Sequence, residues 1–402
     1  MTLVLERSQR RPEAVQGSRS AVVDPLAHYA FERDTDPEAA DLARAWDDLE
    51  GRCVASPYQT RAWIAAWTRH VAGHARVQPA IVTARRNGRV VFILPLARRN
   101  RGPVRLLTWL GDSHTNFHMG LYDRDWLTTT QPSERLAAVE AAVAAAGPAD
   151  VLELCCQPRE WAGHANPFAS LPSFPSTNSG WQTPLTAHIG PLLSGASGAR
   201  RRKKRRWQRN RLTGIGWTVE RVDGGADCDA FLTRSFDAMN HRFARAGIWN
   251  RFADAGVEDH FRHLCAQVEG AVRLYALTID GTPCATLAVV TRARHASGCF
   301  IARSRTRWDW LSPGHLLLHE AIADLCRDGF ASFDLGKGRE SYKLAWCPQE
   351  IATFDTCIAL TPWAAIFPLY ERTKIFAKRM VRNDPRLWRL AKRVRSAFYG
   401  RL

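Results

Sequence analysis

"SPGHLLLHEAIADLCRDGFASFDLGKGRESYKLAW" (residues 312–346) reads as a helix, a short strand and a glycine-flanked exit. Ser312 suits an N-cap, because its hydroxyl can accept a hydrogen bond from an unpaired amide of the first turn. Pro313 fits the first helical position, where its missing N–H costs nothing. Gly314 lets another group come close to the backbone. Leu318, Ile322 and Leu325 fall at i, i+4 and i+7, which predicts a helix over 313–328 with one apolar face. Gly329, after Arg327 and Asp328, is the stop. Residues 331–335 then read as a strand, and Gly336-Lys337-Gly338 as its exit. No side chain larger than His315 stands in the first turn, so its amides are expected to be open, and an open helix start attracts anions, phosphate above all. An ordinary capped helix on a sheet has the same local pattern, so the surroundings must decide.

A chain of 402 residues suggests two or three domains. Its 46% hydrophobic content supports well-formed cores. No run of 18 apolar residues occurs, which excludes a spanning helix of the usual kind. Residues 1–25 lack an apolar signal core and are expected to be a disordered N-terminus. The ten cysteines are scattered and include no C-x-x-C, so neither a zinc site nor a disulfide framework is indicated. A reducing cytoplasm is the simplest setting.

The net charge of +17 is local. "RRRKKRRWQRNR" (200–211) holds nine basic residues and no acidic one, and residues 370–402 hold eleven against Glu371 and Asp384. The two segments together exceed the whole surplus, so the remaining body is near neutral. Such segments suit phosphate, anionic lipid or an acidic polymer; a solvated charged face is the plainer alternative for each.

Two stretches look alike. "PAIVTARRNGRVVFILPLARR" (79–99) and "VRLYALTIDGTPCATLAVVTR" (272–292) are each strand, Asn-Gly or Asp-Gly turn, strand. Helical patterns precede each hairpin and a further strand follows each, 104–111 in one case and 296–302 in the other. The chain therefore reads as two related α/β halves with mixed, mostly antiparallel sheets flanked by helices. The expected division is 26–160, a linker with the basic run over 161–211, a second half over 212–362, and a basic amphipathic tail over 363–402. "FDTCIAL" (354–360) is the expected closing strand of the second half. In the tail, Leu387, Leu390, Val394 and Phe398 fall on one helical face after Pro385, a pattern that suits an anionic membrane surface as well as a packed helix.

In "SPYQTRAWIAAWTRH" (56–70), "GRVVFILPLARR" (88–99), "LTWLG" (107–111), "MNHRFARAG" (239–247), "SPGHLLLHEAI" (312–322) and "FDLGKGRESYKLAW" (333–346), taken in order and spacing, the chain resembles the GNAT acetyltransferases of the CelD/BcsL type, with a BioF2-like acetyltransferase domain, which are related to the FemAB-like tandem GNAT proteins. The resemblance spans roughly 40–360. It implies tandem GNAT-like domains, acetyl-CoA as acyl donor in the second half, and an acceptor cleft shaped by the first. One departure is plain: the usual Gln/Arg-x-x-Gly-x-Gly/Ala pyrophosphate loop is replaced by "WLSPGH". The resemblance also implies an enzyme that modifies a polysaccharide or envelope precursor, with a saccharide or small molecule as acceptor; the expected setting is cytoplasmic, peripheral at most at the inner face of the membrane through residues 370–402, and a nucleic-acid partner is not expected. Two other readings stay open: a FemX-like transferase using aminoacyl-tRNA, and a non-catalytic scaffold of an envelope-synthesis complex.

Acyl transfer needs a group to take the acceptor proton, donors to polarise the carbonyl, alignment, and an acid for the leaving thiolate. The donor phosphates are assigned to the backbone of Ser312, Gly314 and His315. The resemblance implies that Tyr342, after the fifth strand of the GNAT pattern, is the acid; packing against Trp346 is the alternative. Asp334, Glu340 and His241 are the candidate bases, with salt bridges or a helix-surface position as the plainer roles. Lys343 and Arg242 are candidates for holding the acceptor. "HTNFH" (114–118), if extended, places His114, Asn116 and His118 on one face as a polar cleft wall; two histidines do not make a metal site. Gly336-Lys337-Gly338 is too short for a dinucleotide fingerprint.

Overall fold

The computed structural model describes residues 26–384, apart from Gly225, Ile248 and Glu269, together with Leu387. The expectations for 1–25 and for the 385–402 helix otherwise lie outside the described residues.

The first half opens with β1 (Tyr29–Asp34), α1 (Ala40–Glu50) and α2 (Arg61–Trp67), followed by β2 (Ile81–Arg86), β3 (Arg89–Leu94), β4 (Leu96–Arg101), β5 (Val104–Trp109) and β6 (Leu121–Asp123). Helices α3 (Arg124–Thr129) and α4 (Pro132–Ala145) lead to β7 (Val151–Pro158). Asn87 and Gly88 both take left-handed φ, 51° and 79°, as the tight turn between β2 and β3 requires. Helix α4 with α3 is the crossover that lets β7 pair in parallel with β5, at Leu106↔Val151 and Leu107↔Leu152.

The second half repeats this plan. After β8 (Ser173–Pro175), β9 (Gly180–Pro184) and α5 (Gly195–Arg211) come β10 (Trp217–Val222), α6 (Ala226–Arg245) and α7 (Val257–Gln267). A meander of β11 (Val272–Ile279), β12 (Thr282–Arg292) and β13 (His295–Arg303) follows, turning first at Asp280-Gly281 with φ 49° and 68°. Helix α8 (Pro313–Arg327) then crosses to β14 (Ser332–Lys337), which runs parallel to β13. Helix α9 (Ser341–Trp346), β15 (Gln349–Ile351), β16 (Thr353–Ala359) and α10 (Ile366–Asn383) complete the described chain. The architecture is mixed α/β, with mostly antiparallel sheets flanked by helices in both halves.

Both faces of the second sheet are covered, which is why Cys284–Val290 of β12 is buried without alternation. Leu317, Leu318, Ile322 and Leu325 of α8 fill one face. On the other, Phe231, Phe236, Phe261 and Phe300 share a core with Trp46, Trp63 and Trp67 of the first half. Trp63 meets His260 and Phe261 edge-on, with ring centroids 4.5 and 5.8 Å apart.

Strand pairing crosses the midline of the sequence. The seven-stranded sheet runs β10-β11-β12-β13-β14-β9-β15, so it includes β9 from the Ser/Gly/Pro-rich connection. The strand at 353–359 exists as expected, but it lies in the other sheet, antiparallel to β7 from Thr353↔Pro158 to Ala359↔Val151. β8 pairs with β16 and β9 with β15, so the segments 173–182 and 349–356 form an antiparallel ribbon that passes from one sheet to the other. At the crossing, the Ser176 amide donates to the Thr353 carbonyl (3.0 Å), and the Thr353 hydroxyl donates to the Asn178 carbonyl (2.8 Å). Local periodicity reports a strand but not its partner.

Candidate active site

β13 and β14 stay paired for three positions only, His295↔Ser332, Ala296↔Phe333 and Ser297↔Asp334, and then part. There the register of β12 on β13 slips from Ala288↔Phe300 to Val289↔Gly298, leaving Cys299 as a bulge. A bulge takes backbone groups out of the ladder and re-aims the strand. A cleft of about 1060 Å³ opens at this point, bordered by Cys299, Phe300 and Ile301 of β13, Phe243 and Arg242 of α6, and Tyr342 of α9. A second cavity of about 640 Å³ lies along α6 and the end of β13, and Arg242 borders both.

The smaller cavity is basic. Arg234, Arg242, Arg245, Arg303 and Arg305 line it against Asp237 and Asp309, so it suits a phosphate-bearing group. The start of α8 beside it differs from expectation in two ways. Ser312 stands at the N-cap, but in the left-handed region (φ 56°), and its hydroxyl caps nothing. Gly314 is buried, and the group that approaches it is the protein's own: a Cβ there would lie 3.2 Å from Arg303 Cδ and 3.6 Å from Ile301 Cδ1. His315 accepts a hydrogen bond at Nδ1 from Trp346 Nε1 (3.1 Å). Burial, followed by the nearby Lys204 and Arg303, pushes its pKa down to about 4, so the ring is neutral at pH 7.

Tyr342 and Glu340 both reach the large cleft, and Glu340 is the one carboxylate among its described lining residues. Against it stand Arg242, Arg251, Lys337, Lys343 and Lys374. Two of these are committed, Lys343 to Glu340 (3.2 Å) and Lys374 to Glu371. Lys343 also donates to the Lys337 carbonyl, and burial pushes its pKa down. The other three bond neutral groups. Arg242 donates to the Ile301 carbonyl (3.2 Å), Arg251 to the Ser113 carbonyl (2.6 Å), and Lys337 to the Thr115 carbonyl (2.9 Å). Among the described residues none of the three has a carboxylate ion-pair partner, so the cleft can take an anion.

The remaining sequence candidates sit elsewhere. Asp334 is fully buried beneath the cleft; it accepts from Ser297 Oγ (2.9 Å) and the Gly336 amide (2.6 Å), and its other oxygen meets His295 Nε2 (2.8 Å). Every oxygen has a partner, so its place is that of an organiser. His241 is exposed and borders the smaller cavity, not the cleft of Tyr342. Neither His114 nor Asn116 borders the cleft. The 112–114 segment is a 3-10 turn, so the alternating face does not form. His114 is buried, accepts from Trp67 Nε1 (3.2 Å), and its Nε2 meets the Arg251 carbonyl (2.8 Å); burial pushes its pKa down. Asn116 Nδ2 donates to Tyr58 Oη (2.6 Å) and to the Gly298 carbonyl (3.2 Å), and its Oδ1 lies 3.4 Å from Arg251 Nη2. Their segment therefore holds Arg251 in the cleft wall.

Sequence reasoning misses Arg251, and it misses Tyr58, Ser297, His295 and Ser332, which join Asp334 in the hydrogen-bonded chain Tyr58–Ser297–Asp334–His295–Ser332, in which Tyr58 Oη lies 2.9 Å from Ser297 Oγ and His295 Nδ1 lies 2.7 Å from Ser332 Oγ. This chain ties the first half to the point where the strands part. Gly336 completes it. At φ 67°, its absent Cβ would lie 2.4 Å from Asn116 Nδ2. Gly336→Ala is therefore expected to cost about 1–3 kcal/mol from overpacking, increased by the left-handed backbone. Urea denaturation checks this; a wild-type midpoint would mean that Asn116 yields freely.

Among the described residues no group of three or more His, Cys, Asp or Glu side chains is placed to hold a metal ion. Residues 197–344 match the family described as Acetyltransferase (GNAT) domain. No curated protein matches the chain. Of solved structures, FemX aligns with a TM-score of 0.55 at 12% identity, over 82% of this chain and 97% of that one. The C-terminal domain of a protein assigned as a lysylphosphatidylglycerol synthetase from Agrobacterium fabrum aligns at 0.50 and 15%, over 83% and 96%. A conserved protein of unknown function from Bacteroides thetaiotaomicron aligns at 0.50 and 10%, over 78% and 97%. At such identities the likeness is one of fold. Residues 197–344 are thus similar to the GNAT acetyltransferase domain, within an overall fold similar to that of FemX.

Proposed function

We propose that the protein moves an acyl group, acetyl in the simplest case, from acyl-CoA to an amine or hydroxyl of an anionic acceptor. The observation that carries this is the parting of β13 from β14 at the Cys299 bulge, between an arginine-lined cavity and a cleft that holds Tyr342. The arginines suit the donor phosphates, and the donor supplies an activated thioester. Arg251, Arg242 and Lys337 attract the acceptor anion and fix its orientation. As the acceptor heteroatom bonds the acyl carbon, its proton passes to Glu340. As the carbon–sulfur bond breaks, the Tyr342 hydroxyl protonates the leaving sulfur and is itself reprotonated from solvent. The polysaccharide or envelope-precursor setting, and the CelD/BcsL subtype, rest on the sequence resemblance alone.

Calorimetry with acetyl-CoA tests the donor. Micromolar binding is expected for the wild type, and Arg245→Glu with Arg305→Glu should weaken it about tenfold or more, since reversing charges at a phosphate site removes attraction and adds repulsion. An unchanged affinity would remove the basic cavity from the donor site.

A second donor, aminoacyl-tRNA, is favoured by one observation. Helix α5 packs beside α8 through the Arg205–Glu320 pair and a Gln208 Nε2 hydrogen bond to the Leu311 carbonyl (2.6 Å). It presents Arg202, Arg206 and Arg209 around a cavity of about 660 Å³, with Trp207 edge-on to Trp310. Transfer from charged tRNA, without acetyl-CoA binding, would select that reading.

A further inference from the structure

We propose that the outer face of α10 seats on an anionic bilayer and so places the mouth of the cleft at a membrane surface. The helix has two faces. On the inner one, Glu371 is buried and paired with Arg101 (2.7 Å), whose guanidinium lies 5.5 Å from the Phe367 ring centroid. Lys374, Ala377 and Val381 of the same helix border the acceptor cleft. The outer face is apolar and open: Ile366 is 75% exposed, Leu369 62%, Phe376 65% and Met380 52%. Their spacing puts them in one stripe along the helix, and exposed Trp363 stands just before it.

Charge selects the occupant. Residues 370–402 carry eleven Lys and Arg against Glu371 and Asp384, and Glu371 is already paired within the fold. An apolar stripe in a strongly basic segment matches anionic headgroups over acyl chains. A second copy of this chain would bring the same positive charge against it and be repelled. Among the described residues no helix is long and apolar enough to cross a membrane, so the helix would lie in the interface plane.

The test is vesicle flotation of the full chain. At low salt it should float with vesicles of phosphatidylglycerol and phosphatidylcholine, and with pure phosphatidylcholine at least tenfold less. Ile366→Glu with Phe376→Glu should lower binding at least tenfold, with the melting temperature and acetyl-CoA affinity unchanged, because both side chains project from the outer face. Docking does not depend on the acyl-transfer reading, and the acetyl-CoA titration reports on that reading separately. Equal flotation of wild type and variant would overturn the proposal. So would a wild type that ignores anionic vesicles, or light scattering that shows a dimer which the variant dissociates.

Discussion

Tyr342→Phe is expected to lower turnover by about 100- to 10,000-fold, the range for loss of a general acid, with little change in melting temperature. The ring packs against the core that α8 forms with the second sheet, and the substitution keeps it. What is lost is a hydroxyl that, among the described residues, makes no hydrogen bond and borders the cleft. Burial is the main cause that pushes its pKa up to about 12; Glu340 adds to the rise, and Arg242 and Arg303 oppose it. The phenol is therefore protonated throughout the neutral range and ready to donate. Single-turnover release of free thiol from the acyl donor measures the step. A fall of less than tenfold, with chemistry rate-limiting, would leave Tyr342 a packing residue only.

Acidification from pH 6.5 to 5.5 is expected to destabilise the fold by about 2 kcal/mol. His118 and His260 are buried, and burial pushes the pKa of each down to about 3. Their unfolded value is near 6.5, so the native state favours the neutral rings. Well above pH 6.5 neither state binds these protons, and the stabilisation is complete. Below it the unfolded chain takes up protons that the native rings refuse, at about 1.4 kcal/mol per pH unit for each fully titrating site. The loss continues as pH falls towards 3. His114 and His315 are pushed in the same direction. Asp355 and Glu50 oppose the trend at lower pH, since burial raises their pKa values and their native forms protonate first. The interval just below 6.5 is therefore the cleanest. Urea midpoints at pH 7.5, 6.5 and 5.5 give the slope; a flat profile would mean that these rings accept protons in the folded state.

Much of the fold is legible because local chemistry dictates it. Asn87-Gly88 and Asp280-Gly281 announce their hairpins through the left-handed backbone that each turn needs. Pro313 and Gly329 bracket α8, and Leu318, Ile322 and Leu325 point it at the sheet. What escapes is what depends on distant partners. Nothing around residue 355 says that its strand belongs with β7, 200 residues earlier. At the site, Tyr342 is singled out through the family resemblance and Glu340 through its place just before it, and both side chains border the cleft. Arg251 is not singled out, since it sits in a short irregular turn whose placement is decided by Ser113 and Asn116. Asp334 looks like a catalytic candidate in sequence, and His114 like part of a cleft wall, because buried organisers and functional groups use the same side chains; only their satisfied hydrogen bonds tell them apart.

The ribbon that links the two sheets also constrains the order of events during synthesis. Thr353–Ala359 is the strand that covers the open edge of β7, and Ser173 meets its partner Thr356 only after 183 residues have been added. Contacts of such sequence separation close slowly. A nascent chain that has left the ribosome only as far as the middle of α8 already contains β4, β5 and β7, with the β7 edge bare, and bare strand edges invite pairing with other chains. The N-terminal half therefore cannot mature first and wait. Its last strand arrives near the end of translation, and a nonsense truncation anywhere before residue 349 leaves both of the linked sheets unfinished at once.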